Sequence, residues 1–270
     1  MTVIALMTDF GLKDPYVGMM KAVILSINPN AVITDLTHEV PKYNITLASH
    51  MLKISYKYFP KGTIFVVVVD PGVGSRRRPI IVVSKNYLFV GPDNGVLIPA
   101  ARNDGLLSAY EINVKIAGLK EISYTFHGRD IFAPAAAYLS LGIPPHVLGH
   151  KLNTKELVKV SELPEEPLIT NDGVELRVVH VDGFGNLILN TSIDKLMKSL
   201  GVRYGDEVIV KVRDREYKAL IVRTFSEVCE GCLAIYEGSF RLAELAKYMG
   251  SASMDLDIDV NDCIRLRAPR

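Results

Sequence analysis

The sequence lacks an excess of either charge. Its 31 lysine and arginine residues nearly balance 30 aspartate and glutamate residues, so the formal net charge of the 270-residue chain is +1. Without a field of one sign, the chain has no general attraction to nucleic acid or to an anionic membrane surface. We therefore expect a small-molecule partner, with no nucleic acid and no membrane involved.

Cysteine is scarce, with three residues in the chain, an odd number that does not suit a secreted disulfide framework. No apolar run is long enough to cross a bilayer, and the first residues lead into a strand without the basic and small-residue segments of a secretory leader. We therefore expect a protein of the reducing cytoplasm. At Cys229 and Cys232, the CxxC spacing favours a local disulfide or two buried thiols over redox chemistry or zinc binding.

Several signatures of cofactor chemistry are missing. The glycine-rich segment that begins at Asp70 has no Gly-Lys-Ser/Thr ending, which disfavours ATP hydrolysis, and it lacks the third glycine of a dinucleotide-binding fingerprint. The six histidines do not show metal-ligand spacing such as HExxH. The sequence predicts no metal and no cofactor. It also contains no internal repeat, which disfavours a solenoid.

The N-terminal half alternates between short apolar runs and segments with helical spacing, a pattern typical of an α/β domain. The run TIFVVVV at 63–69 is too continuously apolar for a half-exposed strand and predicts a central position in the sheet. We predict strands over 3–8, 31–36, 63–69, 80–83 and 87–90, and helices over 16–26, 44–58 and 129–139.

The C-terminal part of the sequence shows a different pattern, with short strand candidates in place of alternating strands and helices. An acidic, proline-containing stretch at 161–167, SELPEEP, is typical of a connector between domains. Short strand candidates separated by turns follow it, which predicts a small β-barrel or sandwich. These strands are expected over 174–181, 187–190, 207–212, 218–222, 233–236 and 258–266. The expected domains are 1–162, with a mostly parallel sheet, and a smaller β domain over 168–270.

The segment that begins at Asp70 is the most informative one. An acid at the end of the most buried strand is poorly solvated and needs a cation or hydrogen-bond donors nearby. Arg76, Arg77 and Arg78 follow closely enough to fold back and pair with it. The alternative is a surface turn with a solvated basic run. The coincidence of strand, acid and glycine-rich turn favours a functional site over that alternative.

Two further motifs lie at predicted element ends of the N-terminal half. Asp9 and Asp14 follow the first strand, where α/β sheets bind ligands, and could accept ribose hydroxyls or balance a positive charge. Asp14 precedes Pro15, so a helix N-cap is its alternative role. His127 precedes a predicted helix and could donate to an oxygen nucleophile or relay a proton, unless it is a structural hydrogen-bonding group.

The C-terminal half offers a turn over 182–186, DGFGN. Its Asn186 amide could read the edge of adenine while Phe184 stacks on the base. Phe225 and Ser239 each lie in a further polar turn. The turn that contains Ser239 ends at Phe240, and an apolar helix is predicted after it. Hydroxyls and backbone amides there could hold a carboxylate, although turn formation and simple capping explain the same residues.

Six fragments in one order, TDFGLKD, VVVVDPGVGSRRRP, GPDNG, TFHGRD, DGFGN and EGSFRLAELA, span nearly the whole chain. Together they resemble the S-adenosylmethionine (SAM) hydroxide adenosyltransferase family, relatives of the fluorinases and chlorinases. The resemblance implies an N-terminal α/β domain followed by a C-terminal β-barrel, and a homotrimer with sites at subunit interfaces. It also implies cleavage of SAM to adenosine and L-methionine by displacement at the ribose C5′ with a water-derived nucleophile.

The resemblance further assigns roles to individual residues. Asp70, Arg77 and His127 would orient the water and help to deprotonate it. The implied substrate contacts are Asp9 for the ribose hydroxyls, Asp14 and Asp182 for the methionine amine, Phe184, Asn186 and Phe225 for adenine, and Ser239 for the methionine carboxylate. A halogenase, which resembles this chain but has an aromatic residue in place of Asp70, and a non-catalytic nucleoside-binding protein are the alternatives.

Overall fold

The computed structural model describes residues 2–269 and divides the chain into two compact units, with the boundary between Glu162 and Leu163. Each unit contains its own hydrophobic core. Within the described residues, no helix is both long enough and apolar enough to span a membrane.

The N-terminal unit contains one sheet with helices. Its strands are β1 (Val3–Thr8), β2 (Val32–Thr37), β3 (Ile64–Val68), β4 (Pro79–Ser84), β5 (Leu88–Pro92), β6 (Leu106–Ile112) and β7 (Gly149–Leu152). Its α-helices are α1 (Tyr16–Ile27), α2 (Ile45–Ser55), α3 (Ile98–Asp104), α4 (Val114–Ala117), α5 (Ala133–Ser140) and α6 (Pro145–Leu148). One π-helical turn, Gly128–Phe132, precedes α5, and 3₁₀-helices cover Tyr56–Tyr58 and Thr154–Glu156.

The strand order in this sheet is β2-β1-β3-β5-β4-β6-β7. Strands β2, β1, β3 and β5 pair in parallel, and β4 is antiparallel to both β5 and β6, so β6 runs in the same direction as the first four. The predicted α/β class with a mostly parallel sheet is confirmed. All five residues of β3 are buried between β1 and β5, as its continuous apolar run predicts.

Close packing beside β3 depends on Gly91. A Cβ atom at this position of β5 would lie 2.4 Å from the carbonyl oxygen of Val67. The glycine therefore allows β5 to approach β3 without a clash. The pairing fixes the carboxyl end of β3, from which the chain continues to Asp70.

The C-terminal unit is built from β8 (Leu168–Thr170), β9 (Gly173–Val181), β10 (Leu187–Leu189), β11 (Glu207–Val212), β12 (Arg215–Ile221), β13 (Leu233–Glu237), β14 (Ala243–Lys247) and β15 (Cys263–Arg267). Helices α7 (Ile193–Leu200) and α8 (Ala252–Leu256) and a 3₁₀-helix, Phe225–Glu227, connect them. Seven strands close into a barrel in the order β10-β14-β13-β12-β11-β15-β9 and back to β10, while β8 pairs with β9 outside the ring. The predicted β-barrel is confirmed.

Alternation of side chains forms the barrel core. Along β11, Val208, Val210 and Val212 are buried, whereas the residues between them are partly exposed. The predicted apolar helix after Phe240 is wrong, because this segment forms β14 and hydrogen-bonds to β10 and β13. Its alanine and leucine content suits a helix in isolation, but strand pairing overrides that preference.

The end of the chain also differs from the prediction. The strand expected over 258–266 begins only at Cys263, because a turn after α8 occupies the preceding residues. The turn follows Asp257, which has a left-handed φ of 52° and ends the helix. Cys229 and Cys232 form a local disulfide, one of the two structural alternatives that their spacing favoured.

Candidate active site

A cavity of about 300 Å³ lies in the N-terminal unit, at the carboxyl ends of β1 and β3. We call it the N-terminal pocket. Four residues singled out from the sequence line it: Asp9, Asp14, Asp70 and His127. The loops that leave parallel strands meet at one edge of the sheet, which is the usual place for a ligand in this class of fold.

The floor of the N-terminal pocket contains a three-residue contact. The Arg77 Nε atom donates to both carboxylate oxygens of Asp70, at 3.1 and 2.9 Å, and its Nη2 atom lies 2.6 Å from Asp70 Oδ2. The same Nη2 atom lies 2.6 Å from His127 Nδ1. The Asp70 and Arg77 side chains are only 4 % and 9 % exposed, so solvent screens their attraction weakly. The ion pair therefore fixes the orientation of the carboxylate.

The neighbouring arginines face elsewhere. Arg78 binds Asp93 through Nε at 2.9 Å and also donates to the carbonyl oxygen of Glu156 at 3.0 Å. The second Asp93 oxygen accepts the backbone N–H of Val158 at 3.0 Å, so Arg78 and Asp93 tie the loop to a distant segment. Arg76 is exposed. Of the three consecutive arginines, Arg77 is the one that contacts Asp70.

The contact with Arg77 determines the tautomer of His127. A guanidinium group has only donors, so His127 Nδ1 must accept its hydrogen bond, and the ring proton of the neutral imidazole then resides on Nε2. Burial and the adjacent Arg77 charge lower the pKa of His127 below its ordinary value, against a smaller opposing effect of Asp70. The lowered pKa favours the neutral form of His127, whose Nε2–H is a hydrogen-bond donor.

The π-helical turn holds His127 in position. Asp130 is fully buried within the turn and accepts the backbone N–H of Ser123 at 2.8 Å. Its second carboxylate oxygen pairs with Arg129 at 2.5 Å. Burial alone would raise the pKa of Asp130, but the hydrogen bonds donated to its carboxylate by Arg129 and Ser123, together with the Arg129 charge, lower that pKa below its ordinary value. The helix predicted over 129–139 thus begins as a wider turn that binds the loop carrying His127.

The remaining acids of the N-terminal pocket differ in their surroundings. Asp9 is 6 % exposed, and its Oδ2 atom accepts the backbone N–H of Tyr43 at 2.9 Å. Asp14 is exposed, and the cap of α1 at Pro15 contains no side-chain hydrogen bond, so the alternative capping role is not observed. Both carboxylates remain available to a ligand in the pocket.

Other residues that line this pocket were not among the predicted site residues. Lys42 and Tyr43 line it from the loop after β2, and Lys42 donates to the backbone carbonyl of Asp9. Phe10 and Phe126 form an aromatic wall, with ring centroids 5.9 Å apart. Tyr43 has a left-handed φ of 63°, a conformation with no signal in its sequence neighbourhood.

A second cavity, of about 370 Å³, lies in the C-terminal unit, and we call it the C-terminal pocket. All five C-terminal residues predicted to contact substrate line it: Asp182, Phe184, Asn186, Phe225 and Ser239. An adjoining apolar cavity of about 420 Å³ also contacts the two phenylalanines and Asn186. This arrangement suits a ligand with a flat ring and a polar tail.

The turn over 182–186 is held by its own first residue. Asp182 Oδ1 accepts the backbone N–H groups of Phe184 and Asn186, each at 2.9 Å, and Oδ2 accepts the Asn186 side-chain amide at 2.9 Å. The Asn186 side-chain oxygen remains an acceptor for a ligand. Phe184 is 82 % exposed at the pocket rim, whereas Phe225 packs against Tyr236 with centroids 4.7 Å apart.

Three further residues of the C-terminal pocket were not among the predicted site residues: Arg223, Tyr236 and Glu244. Tyr236 and Glu244 are buried on neighbouring strands, and the Tyr236 hydroxyl group hydrogen-bonds to the Glu244 carboxyl group. A single polar residue within an apolar strand is a weak signal in sequence, since a solvated face explains it equally well.

Both parts of the chain are similar to known proteins. Residues 4–149 match the SAM hydroxide adenosyltransferase N-terminal domain, and residues 176–265 match the C-terminal domain of the same name. A protein of Thermus thermophilus named (R)-S-adenosyl-L-methionine hydrolase is 36 % identical, over 96 % of this chain and 97 % of its own. A protein of Methanocaldococcus jannaschii with the same name is 33 % identical, over 98 % and 95 %.

A more distant relative and a solved structure are also similar to this chain over nearly its full length. A fluorinase of Nocardia brasiliensis is 24 % identical, over 98 % of this chain and 96 % of its own. The crystal structure of an uncharacterised conserved protein from Thermotoga maritima matches with a TM-score of 0.83 at 40 % identity, and it covers 97 % of this chain and 99 % of that one. The similarity thus extends through both units.

Proposed function

The chain belongs to the SAM hydroxide adenosyltransferase family, and from this premise we propose that it hydrolyses S-adenosyl-L-methionine to adenosine and L-methionine. The observation that carries the proposal is the contact of Asp70, Arg77 and His127 at the floor of the N-terminal pocket. It combines a fixed carboxylate acceptor with a neutral N–H donor, the two groups that a bound water molecule needs for orientation.

The reaction is a single displacement. A lone pair of the water oxygen forms a bond to C5′, and the C5′–sulfur bond breaks with its electron pair moving to sulfur, so the sulfonium leaves as a neutral thioether. The water proton passes to the Asp70 carboxylate and then to solvent, and each turnover releases one proton. Because the leaving group is already good, the enzyme's main tasks are to align and desolvate the water.

The other pocket residues hold the substrate in this proposal. Asp9 accepts the ribose hydroxyls, and Asp14 faces the methionine amine. In the C-terminal pocket, Asp182 also contacts the methionine amine, and Ser239 binds the methionine carboxylate. Adenine lies among the side chains of Phe184, Asn186 and Phe225. Buried acids and aromatic rings suit a cationic nucleoside. The reaction needs no metal and no second cofactor.

We further propose a homotrimer, located in the cytoplasm, in which the active sites lie at subunit interfaces. Two exposed aromatic residues support an interface at the pockets. Tyr43 lines the N-terminal pocket and is 70 % exposed, and Phe184 lines the C-terminal pocket and is 82 % exposed. Subunit contact would bury such apolar surface. Light scattering of the purified protein measures the mass of the assembly, and we expect the mass of three chains.

Product analysis tests the proposed reaction. Asp70 lines the N-terminal pocket whereas Arg77 lies behind it, so an incoming halide meets a carboxylate and is repelled. We expect purified protein to release adenosine and L-methionine in equal amounts, and to form no 5′-halo-5′-deoxyadenosine when chloride or fluoride is added. Chromatography with mass spectrometry measures all these products.

A 5′-halo product would favour the halogenase alternative over hydrolysis. Binding of the substrate without any product would favour a nucleoside-binding protein. Heat-treated protein is the control for spontaneous decay of the substrate.

A further inference from the structure

Tyr236 and Glu244 form a buried polar pair that the proposed mechanism leaves unused. They lie directly opposite each other in the pairing of β13 with β14, and their side chains are on the outer face of the barrel. Tyr236 is 8 % exposed and Glu244 is 5 % exposed. The Tyr236 hydroxyl donates to Glu244 Oε1. Placing a carboxyl group at such depth is unfavourable unless it has partners.

The surroundings of Glu244 contain no cation that pairs with it. Among residues 2–269, no lysine or arginine forms an ion pair with either Glu244 or Asp182. Arg223 lines the same pocket, but its guanidinium lies over the ring of Tyr204, 4.8 Å from the centroid. Burial raises the pKa of Glu244, and the nearby Asp182 charge raises it further, against the opposing effect of Tyr236. The wall of the pocket therefore contains two carboxyl groups, those of Glu244 and Asp182, that form no ion pair with a lysine or arginine among residues 2–269.

Glycine at position 238 allows this carboxyl group to occupy its place. A Cβ atom there would lie 1.9 Å from Glu244 Oε2, so any other residue would displace the carboxyl group. Gly238 also lines the C-terminal pocket beside Ser239. The carboxyl group thus lies next to the turn that the proposed function assigns to the substrate carboxylate.

Asp182 and Glu244 differ in what they still offer to a ligand. Both oxygens of Asp182 accept hydrogen bonds from its own turn. In contrast, the hydrogen bond described for the Glu244 carboxyl group comes from Tyr236, at Oε1. A carboxylate can accept about four hydrogen bonds. Glu244 therefore retains the greater capacity to accept from a ligand cation.

We propose that Glu244, held by the Tyr236 hydroxyl, binds the α-ammonium group of the substrate and selects ligands that carry it. The proposal rests on the proposed function, since it takes SAM as the substrate. An ammonium group supplies both the charge and the donors that the acidic wall lacks. Glu244 is then a specificity residue, and it has no part in the displacement at C5′.

The test compares ligands with and without the ammonium group. We would measure by calorimetry the binding of three probes: the thioether analogue S-adenosyl-L-homocysteine, the same compound without its α-amino group, and adenosine. Glu244→Gln keeps the size of the side chain and can still accept from Tyr236. We expect this variant to bind the amino-containing probe at least about tenfold more weakly, and the other two within about threefold of wild type.

Two further variants complete the test. Tyr236→Phe removes the hydroxyl group that holds the carboxyl group, and we expect a smaller loss that is again confined to the amino-containing probe. Glu207→Gln, on β11 and paired with Lys218, is the matched control and should bind all three probes as wild type does. In turnover, Glu244→Gln should raise KM and change kcat by less than about threefold.

The results separate this inference from the proposed function. Equal weakening of all three probes in Glu244→Gln, or unchanged binding of the amino-containing probe, would overturn the role of Glu244. Failure of the wild-type protein to hydrolyse SAM would instead reject the proposed function. The probe comparison depends on binding alone and remains informative in that case.

Discussion

Replacing Asp70 with asparagine is expected to lower kcat for SAM hydrolysis by about a hundredfold to ten-thousandfold, the usual contribution of a positioned acid or base. Asparagine keeps the size of the side chain but removes the charge and most of the basicity. Arg77 then loses its ionic partner, although its contacts with His127 and with the ring of Phe132 remain possible. The water molecule would be neither oriented nor deprotonated.

Substrate binding should survive this change, because Asp70 contacts the water and not the nucleoside in our account. We expect the affinity for adenosine to stay within about threefold of wild type, as measured by calorimetry. Asp172→Asn, an exposed aspartate in a turn of the C-terminal unit, is the matched control and should retain full turnover. Turnover by Asp70→Asn at the wild-type rate would remove Asp70 from the mechanism.

Replacing Arg77 with glutamine is expected to abolish turnover and to destabilise the protein. The Asp70 carboxylate would remain almost fully buried without its cation, and breaking a buried ion pair by removing one partner costs about 3–5 kcal/mol. The free energy of unfolding, measured by urea denaturation, should fall accordingly. Arg76→Gln is the matched control, since Arg76 is exposed, and should change stability by less than about 0.5 kcal/mol.

A double variant separates the loss of the cation from the loss of packing. When Asp70→Asn is combined with Arg77→Gln, no uncompensated charge remains, so the double variant should be more stable than Arg77→Gln alone. If Arg76→Gln lowered stability and turnover as much as Arg77→Gln does, the assignment of the Asp70 partner would be wrong.

Much of the N-terminal unit could be predicted from sequence because its signals are local. The run at 63–69 indicates β3 by its continuous apolar residues, and Asp70 directly after it indicates a site at the sheet edge. The choice among three consecutive arginines could not be made from the residues, since each could reach Asp70. In the structure, Arg78 is bound to Asp93, a partner that only tertiary folding brings near.

The C-terminal unit shows where sequence signals fail. The segment after Phe240 has the composition of a helix but forms β14, because two neighbouring strands offer it hydrogen bonds. The role that we propose for Glu244 depends on the same pairing, which places it opposite Tyr236. A buried acid on a strand cannot be distinguished in sequence from one on a solvated face. The roles assigned to the individual pocket residues remain predictions.

The central claim is that water, oriented by Asp70 and His127, attacks C5′ directly. Hydrolysis in heavy-oxygen water, followed by mass spectrometry of the products, tests it most directly. We expect one heavy oxygen in the 5′ position of adenosine and none in L-methionine. Adenosine without the heavy oxygen would contradict direct displacement by water.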